Sequence, residues 1–134
     1  PYPGDMAESD ARNLWLENPL RCYVAEDADG TLLGTYHLRA NQAGRGNHVC
    51  NCGYITAEAA RGRGVASAMC RHSQEEAKAL GFTAMQFNLV VATNTGAVAL
   101  WQKLGFEIIG TLPGAFRHDT LGEVDAHIMF KRLV

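Results

Sequence analysis

The stretch Arg61-Gly62-Arg63-Gly64-Val65-Ala66 constrains the architecture most, because it joins a predicted strand to a predicted helix. The first turn of a helix carries backbone N–H groups with no partner inside the helix, and the helix dipole adds partial positive charge there. Gly62 and Gly64 let a ligand come close to that backbone, and Arg61 and Arg63 add mobile positive charge. The stretch therefore predicts an anion site suited to a pyrophosphate. The alternative is a tight strand-to-helix corner.

Two familiar phosphate motifs do not fit this stretch. No Gly-Lys-Ser/Thr sequence follows it, so it is not a P-loop. It also lacks the Gly-x-Gly-x-x-Gly pattern, early in a βαβ unit, of the dinucleotide fingerprint. The identity of the anion must therefore come from the rest of the chain.

Hydrophobic spacing on either side predicts a mixed α/β domain built around one sheet. The predicted helices cover residues 5–18, 66–80 and 94–104, and the predicted strands cover residues 21–26, 31–40, 48–56, 83–91, 106–112 and 125–133. We expect Gly81 to end the second helix in a left-handed conformation and Asn94 to cap the third. Residues 113–124 are predicted to be a loop.

Size and charge exclude several classes of protein. The chain has 134 residues, 47% of them apolar, which predicts a single domain over residues 1–134. A formal net charge of -2 and a pI near 6.2 argue against nucleic-acid binding, which usually needs a basic face. No apolar run approaches the ~20 residues of a membrane span, and no signal peptide is visible.

The cysteines are expected to be reduced and structural, which favours a cytoplasmic protein. They are Cys22, Cys50, Cys52 and Cys70. His48, Cys50 and Cys52 share one face of a predicted strand, but structural zinc needs four ligands in a tetrahedral array. We therefore expect no metal.

A second motif lies downstream, in the segment Asn94-Thr95-Gly96-Ala97-Val98-Ala99-Leu100-Trp101-Gln102-Lys103-Leu104-Gly105-Phe106. It is similar to the pattern Asn-x-x-Ala-x-x-Leu-Tyr-x-Lys-x-Gly-Phe, and Arg61, Gly64 and Ala66 match Arg-x-x-Gly-x-Ala. With both motifs in this order, the chain resembles the GNAT superfamily of acetyl-CoA-dependent N-acetyltransferases over residues 21–134. The superfamily's first strand is missing, so we expect the natural protein to be longer at its N-terminus.

The resemblance implies a mostly antiparallel central sheet with helices on both faces. It also implies acetyl-CoA as cosubstrate, with the pantetheine arm in a gap where the strand at residues 54–56 splays from Asn88 and Leu89. The implied cofactor-binding residues are Ile55, Thr56, Arg61, Gly62, Arg63, Gly64, Val65, Ala66, Ser67 and Asn94. Trp101 stands where many members carry a tyrosine that protonates the departing thiolate. An indole does not titrate usefully, so Trp101 is expected to pack against the cofactor.

The implied reaction is direct attack of an amine on the thioester, which needs alignment, a proton acceptor and a donor to the carbonyl oxygen. A backbone N–H near Ile55 or Thr56 is expected to serve the oxygen. Tyr54 and Asn88 are expected to line the gap as orienting groups, so the catalytic candidates are Tyr54, Asn88 and Trp101. For the base, the sequence leaves open Glu58, His48 and a water relay.

The predicted loop over residues 113–124 is expected to close over the acceptor, with Arg117 and His118 reading its charge. The alternative is an ordinary surface loop. Residues 110–118 resemble small-molecule members of the superfamily, which favours a small-molecule amine or amino acid over a protein amine. Other hypotheses are an acetyl-CoA-binding or regulatory domain without catalysis and a nucleotide site at the Arg-Gly turn. A homodimer through the N-terminal sheet edge is a further expectation.

Overall fold

The computed structural model describes residues 20–134. The strands are β1 (Leu20–Glu26), β2 (Leu32–Ala40), β3 (Val49–Thr56), β4 (Ala84–Val91), β5 (Glu107–His118) and β6 (Gly122–Arg132). Helix α1 (Val65–Ala79) lies between β3 and β4, and helix α2 (Thr95–Lys103) lies between β4 and β5. Short 3-10 turns occupy Gly44–Gly46 and Glu58–Ala60. The predicted order of elements is confirmed over this part of the chain.

The six strands form one sheet in the order β1-β2-β3-β4-β6-β5. The β3–β4 pair is parallel, whereas the other four pairs are antiparallel. A parallel pair requires a crossover connection, and α1 provides it. The expected mixed, mostly antiparallel sheet is therefore present.

Both described helices pack on the same face of the sheet, which we call the helix face. The hydroxyl of Tyr54 on β3 lies 2.6 Å from Ser73 Oγ of α1, and its ring centroid lies 5.2 Å from that of Trp101 of α2. The helix predicted for residues 5–18 lies outside the described residues. Neither α1 nor α2 is long and apolar enough to cross a membrane.

Strand alternation and helical spacing bury one continuous core on the helix face. Its largest fully buried side chains are Leu38, Met85, Met129, Cys50, Cys70 and Ser73. All four thiols are free. Lys131 joins the two helices, because its Nζ donates to Gln74 Oε1 of α1 at 2.6 Å and to the Leu104 carbonyl at the end of α2 at 2.8 Å.

The helix ends follow the predicted caps. The backbone of Gly81, just after α1, is left-handed with φ of 95°. The Asn94 side chain caps α2, since its Oδ1 accepts the Ala97 N–H at 3.2 Å. Gly81 therefore marks the end of α1, and Asn94 marks the start of α2.

The prediction of a loop over residues 113–124 is wrong. Strand β5 runs on to His118 and β6 begins at Gly122, so most of this stretch is a long antiparallel hairpin. Two register irregularities bend it, one between Ile108 and Gly110 and one between Leu112 and Phe116. Pro113 and Gly114, which indicate a turn in the sequence, lie in the second irregularity, where the ladder tolerates a missing donor.

Candidate active site

The turn formed by residues 61–67, between β3 and α1, presents backbone amides to open space. Gly62 and Gly64 have φ of 80° and 75°, values that glycine adopts without strain. A Cβ added at either glycine would meet no atom of the described residues within 4 Å. The Ala68 N–H donates to the Gly64 carbonyl at 3.0 Å and makes the first hydrogen bond of the helical ladder. The N–H groups of residues 65–67 come before that bond and therefore have no partner within the helix.

A cavity of about 350 Å³ lies against this turn. It is lined by Thr56, Ala60, Arg61, Gly62, Gly64, Val65, Ala66, Ser67 and Leu100. Most of the predicted cofactor residues are therefore together. Arg63 lines the neighbouring groove between α1 and the β1–β2 pair instead.

Beside this cavity, β3 and β4 separate. Their parallel pairing covers three residue pairs and ends at Asn51 and Gln86, where Asn51 Nδ2 donates to the Gln86 carbonyl at 3.0 Å. Further along β4 the register with β6 shifts between Phe87 and Val90, a bulge that turns β4 away. Residues 52–56 of β3 therefore run beside a wedge-shaped opening, the β3–β4 gap, as expected.

The gap contains a cavity of about 350 Å³. It is lined by His37, Cys52, Gly53, Tyr54, Phe87, Leu89, Val90, Val91, Asn94, Ala97 and Trp101. Two of the three catalytic candidates, Tyr54 and Trp101, are in this set, as is Asn94. Ile55 and Thr56 continue β3 along the opening, and alternate backbone groups of a strand point to each side.

An aromatic cluster closes the gap on the helix face. The Trp101 ring centroid lies 5.1 Å from that of Phe87 and 5.2 Å from that of Tyr54. Phe106 stacks on Phe87 at 4.3 Å. These are ordinary packing distances for aromatic rings, so Trp101 packs against Phe87 and Tyr54, and its expected contact with the cofactor stays a prediction.

The Tyr54 hydroxyl is held inside the protein. It lies 2.6 Å from Ser73 Oγ, which donates to the Cys70 carbonyl, and 3.8 Å from Met85 Sδ. Burial raises the pKa of Tyr54 well above its usual range, and the neighbouring Cys52 thiol adds to this effect. The phenol therefore keeps its proton and acts only as a neutral hydrogen-bonding group.

Asn88 occupies a different place from the other candidates. Its Nδ2 donates to Asn41 Oδ1 at 2.7 Å and its Oδ1 accepts from Gln86 Nε2 at 3.0 Å. The residue is exposed and is absent from the set that lines the gap. Asn88 thus connects the bulge of β4 to the end of β2 through a row of carboxamides.

His37 reaches the gap although sequence reasoning did not select it. It lies on β2, directly across from Gly53 of β3. A Cβ on Gly53 would lie 2.3 Å from His37 Cε1, so the imidazole covers the glycine. The pKa of His37 is lowered to about 4, first by burial and second by the charge of Arg39. The detectable signal was Gly53 itself, because glycine within a strand often marks close approach of another group.

Arg117 and His118 lie at the tip of the β5–β6 hairpin. His118 Nδ1 accepts the backbone N–H groups of Thr120 and Leu121, each at 3.2 Å, and so closes the turn. Arg117 is opposite Glu123 in the strand register. Neither Arg117 nor His118 lines either of the two cavities. Their role in binding the substrate stays a prediction, and the hydrogen bonds of His118 are structural.

The metal hypothesis for the β3 cysteines gains no support from geometry. Cys50 and Cys52 are buried in the core. Within residues 20–134, no group of three or more His, Cys, Asp or Glu side chains is placed to hold a metal ion.

Comparison with known proteins connects this geometry to a family. The family model of the GNAT acetyltransferases matches residues 1–106. N-acetyltransferase aca1 of Schizosaccharomyces pombe is 35% identical over 101 residues, which are 73% of this chain and 47% of that protein. Protein SPT10 of Saccharomyces cerevisiae is 34% identical over 83 residues, 62% of this chain and 13% of that protein. The chain thus spans about half of the first relative and about an eighth of the second.

A solved structure agrees with these sequence matches. A GCN5-related N-acetyltransferase from Kribbella flavida is 46% identical and superposes with a TM-score of 0.85, covering 98% of this chain and 80% of that one. The match extends over the turn at residues 61–67, the β3–β4 gap and both described helices. Because the family model covers most of the sequence, the chain belongs to the GNAT family of acetyltransferases.

Proposed function

We propose that this chain transfers the acetyl group of acetyl-CoA to a primary amine of a small molecule or amino acid by direct attack. One observation supports the proposal: the cavity at the 61–67 turn and the cavity in the β3–β4 gap are lined by residues of the same two elements, β3 and α2. Thr56 of β3 and Leu100 of α2 line the first cavity, and Tyr54 and Trp101 of the same two elements line the second. A long ligand with an anionic end and a thin arm fits this arrangement.

The anionic end is assigned to the 61–67 turn. The family resemblance assigns the pyrophosphate to the amides of residues 62–67, apart from the Arg63 N–H, which donates to the Ala60 carbonyl at 3.3 Å, and the open space outside Gly62 and Gly64 allows close approach. Arg61 and Arg63 supply positive charge beside it. Neutral turns bind phosphates through the same backbone groups, so the negative net charge of the chain does not count against this role.

The pantetheine arm is assigned to the gap. Because no strand within residues 20–134 pairs with β3 on that side beyond Asn51, its backbone groups are assigned to the amides of the arm. Asn94 lies at the same opening, and its Oδ1 already caps α2, which leaves its Nδ2 for the arm. The thioester then comes to the narrow part of the wedge, near Gly53 and Tyr54.

The chain's own groups then have separate tasks. A backbone N–H of residue 55 or 56 stabilises the carbonyl oxygen as negative charge develops. Tyr54 keeps its proton and lines the gap with its ring, while Ser73 and Met85 hold its hydroxyl inside the protein. Trp101 fills space beside the arm. Its indole cannot exchange a proton at neutral pH, so it does not act as the acid for the departing thiolate. The departing thiolate therefore takes its proton from the amine or from water.

Small acceptors are favoured by the space that remains. The gap cavity has a volume of about 350 Å³ and must also hold the end of the pantetheine arm, so little room remains for the acceptor. The resemblance of residues 110–118 to small-molecule members points the same way. Acceptors that are part of a protein would have to present a thin, extended amine to this opening.

Release of free thiol from acetyl-CoA in the presence of a panel of amines tests the proposal. The panel contains polyamines, free amino acids and short peptides with a free N-terminus. Amine-dependent thiol release, with an acetylated product of the expected mass, supports the proposal. If acetyl-CoA binds but no amine raises thiol release above background, the chain is a cofactor-binding domain, the alternative that the non-titrating Trp101 favours.

A competition experiment separates acetyl-CoA from nucleotides at the 61–67 turn. Bound CoA is challenged with ATP and with NAD at equal concentrations. We expect CoA to be displaced by neither, because the gap receives the pantetheine arm that both lack. Displacement at similar strength would instead assign the turn to nucleotides in general.

A further inference from the structure

One polar side chain that lines the gap, His37, has no role in the proposed function. His37 lies on β2, and β3 separates β2 from the gap. A side chain on β2 can line the gap only if it reaches across β3. His37 does so, since it lines the gap cavity together with Gly53 and Leu89.

The strand register explains why the imidazole leans toward the gap. On one side of His37 the cross-strand neighbour is Cys22 of β1, and on the other side it is Gly53 of β3. A Cβ on Gly53 would lie 2.3 Å from His37 Cε1 and 3.1 Å from each ring nitrogen. The ring therefore occupies the space that a side chain on Gly53 would need, and the glycine permits this position.

His37 also lies on the face opposite the helices. Its neighbours Tyr36 and Leu38 are buried on the helix face, where the Tyr36 hydroxyl lies 2.5 Å from His72 Nδ1 of α1. Side chains alternate along a strand, so His37 points to the other side of the sheet. The aromatic cluster of Tyr54, Phe87 and Trp101 occupies the helix face of the gap. An acceptor must therefore approach the thioester from the side of His37.

We propose, on the basis of the proposed acetyl transfer, that His37 is a catalytic residue that contacts the acceptor amine and takes its proton. The amine nitrogen donates a hydrogen bond to an imidazole nitrogen, which aims the nitrogen lone pair at the thioester carbonyl carbon. The C–N bond forms, the nitrogen becomes cationic and acidic, and its proton moves to the imidazole. The C–S bond then breaks, and the CoA sulfur leaves with the electron pair and finally receives that proton through water.

Near neutral pH His37 is a neutral ring that can accept the amine N–H; its lowered pKa makes it a weak base, so it takes the proton only after C–N bond formation has made the nitrogen acidic. Burial, followed by the charge of Arg39, lowers its pKa to about 4, so the ring is neutral near pH 7. A neutral imidazole has one donor and one acceptor nitrogen. A cationic ring would repel an amine that is still protonated and could accept no hydrogen bond.

Two substitutions at position 37 separate chemistry from shape. His37→Phe keeps a flat ring but removes both nitrogens, and His37→Gln keeps an acceptor oxygen that cannot take the proton. We expect kcat to fall about 100-fold or more in His37→Phe, the usual scale of lost proton transfer. In His37→Gln the KM for the amine should stay near that of the wild type while kcat remains low. The Kd for acetyl-CoA should change less than twofold in both, because the 61–67 turn is untouched.

A third variant moves the ring without removing it. Gly53→Ala places a methyl group where His37 Cε1 now lies, so the imidazole must shift. We expect a loss of kcat similar to that of His37→Phe. The matched control is Gly110→Ala on β5, where the nearest atom to the new Cβ is Ile128 Cδ1 at 4.0 Å, and kcat should not change.

The outcomes distinguish this role from the proposed function. Wild-type turnover with the best amine of the panel is measured first, and its absence would overturn both. If the wild type turns over and His37→Phe stays within threefold of its kcat/KM, the His37 role alone is overturned. A readout that needs no variant is the ¹⁵N shift of the His37 ring in the CoA-bound wild type. That shift should change when the amine is added, and an unmoved signal at saturating amine would contradict the contact.

Discussion

The 61–67 turn and the acceptor side of the gap are built in opposite ways. The turn takes its amides, glycines and arginines from consecutive residues, and its shape depends on the start of a single helix. The acceptor side combines His37 of β2, Gly53 of β3 and the bulge of β4, which are brought together only by strand pairing. A site formed by consecutive residues can be predicted directly from the sequence. A site assembled from three strands can be predicted only if the register of strand pairing is known.

This difference has a physical consequence for how each region tolerates change. In the turn, the proposed anion binding uses backbone groups, so side chains matter mainly when they obstruct or strain the backbone. On the acceptor side, function depends on one side chain whose position is set by the lack of a neighbouring Cβ. We therefore expect substitutions to separate donor binding from turnover cleanly.

The largest effect is expected from Gly64→Leu. The new side chain would extend into the open space outside the turn and block the pyrophosphate, and φ of 75° would strain it by about 1–2 kcal/mol. Loss of two charge-assisted hydrogen bonds, at about 1.5–3 kcal/mol each, raises the Kd for CoA by about 100-fold or more. Isothermal titration calorimetry measures this Kd.

Gly81→Leu is the matched control for that variant. Gly81 lies at the other end of α1 with φ of 95°, and no atom of residues 20–134 lies within 4 Å of an added Cβ, so the backbone strain is comparable. Its stability should fall by a similar amount while the Kd for CoA stays the same. Equal losses of affinity in both variants would show that strain, and not the anion site, explains the effect.

Much of the fold could be predicted from the sequence because its signals are local. The helix over α1, the left-handed Gly81 and the cap at Asn94 depend on residues within one or two turns of each other. The loop prediction for residues 113–124 failed because Pro113 and Gly114 indicate a turn equally well whether they lie in a loop or in a strand irregularity. Only pairing with β6 distinguishes the two cases.

The candidate site was predictable to the same extent. Two motifs selected the 61–67 turn, Asn94 and Trp101, and the implied splay of β3 selected Tyr54; most of these residues line the two cavities, and their roles stay predictions. His37 carries no motif, and its position depends on a register that pairs it with Gly53. Gly53 could have indicated the position of His37, because a glycine within a strand often marks a place where another group approaches closely.

Lys131→Met tests how far the two regions depend on a shared support. The Nζ group ties α1 to the end of α2, the two helices that line the turn and the gap. Its removal leaves the Gln74 and Leu104 oxygens without this donor, and the free energy of unfolding should fall by about 1–3 kcal/mol. Urea denaturation measures the change.

Lys78→Met is the control for loss of a lysine. Lys78 lies in α1 and pairs with Glu75 at 3.0 Å on the exposed surface. Such pairs contribute less than about 0.5 kcal/mol, so stability should hardly change. If both variants were equally stable, the link between the helices through Lys131 would be unimportant.

The pH dependence of stability examines His37 independently of turnover. Its pKa is about 4 in the folded protein and about 6.5 when unfolded, so the unfolded chain binds the proton first as pH falls. Stability is therefore fully present above pH 6.5 and is lost as the pH falls from 6.5 to 4. His37→Gln lacks this group, so the stability difference between wild type and variant should shift by about 1 kcal/mol over that window, less than full burial would give. Parallel curves would mean that the ring is solvated and does not cover Gly53.

The smallest effect is expected from Trp101→Phe, which bears on the boundary between the two regions. The ring packs on Phe87 and Tyr54 and lines the gap near the proposed arm. Phenylalanine keeps an aromatic face but loses the indole N–H and the larger ring, so kcat should change less than about threefold and stability by about 1 kcal/mol. Steady-state kinetics at saturating acetyl-CoA measure the first quantity and thermal unfolding the second. A fall in kcat of about 30-fold with an unchanged Kd for acetyl-CoA would show that the indole, through its N–H or its larger ring, orients the reacting groups, and part of the catalytic machinery would then lie on the helix face of the gap.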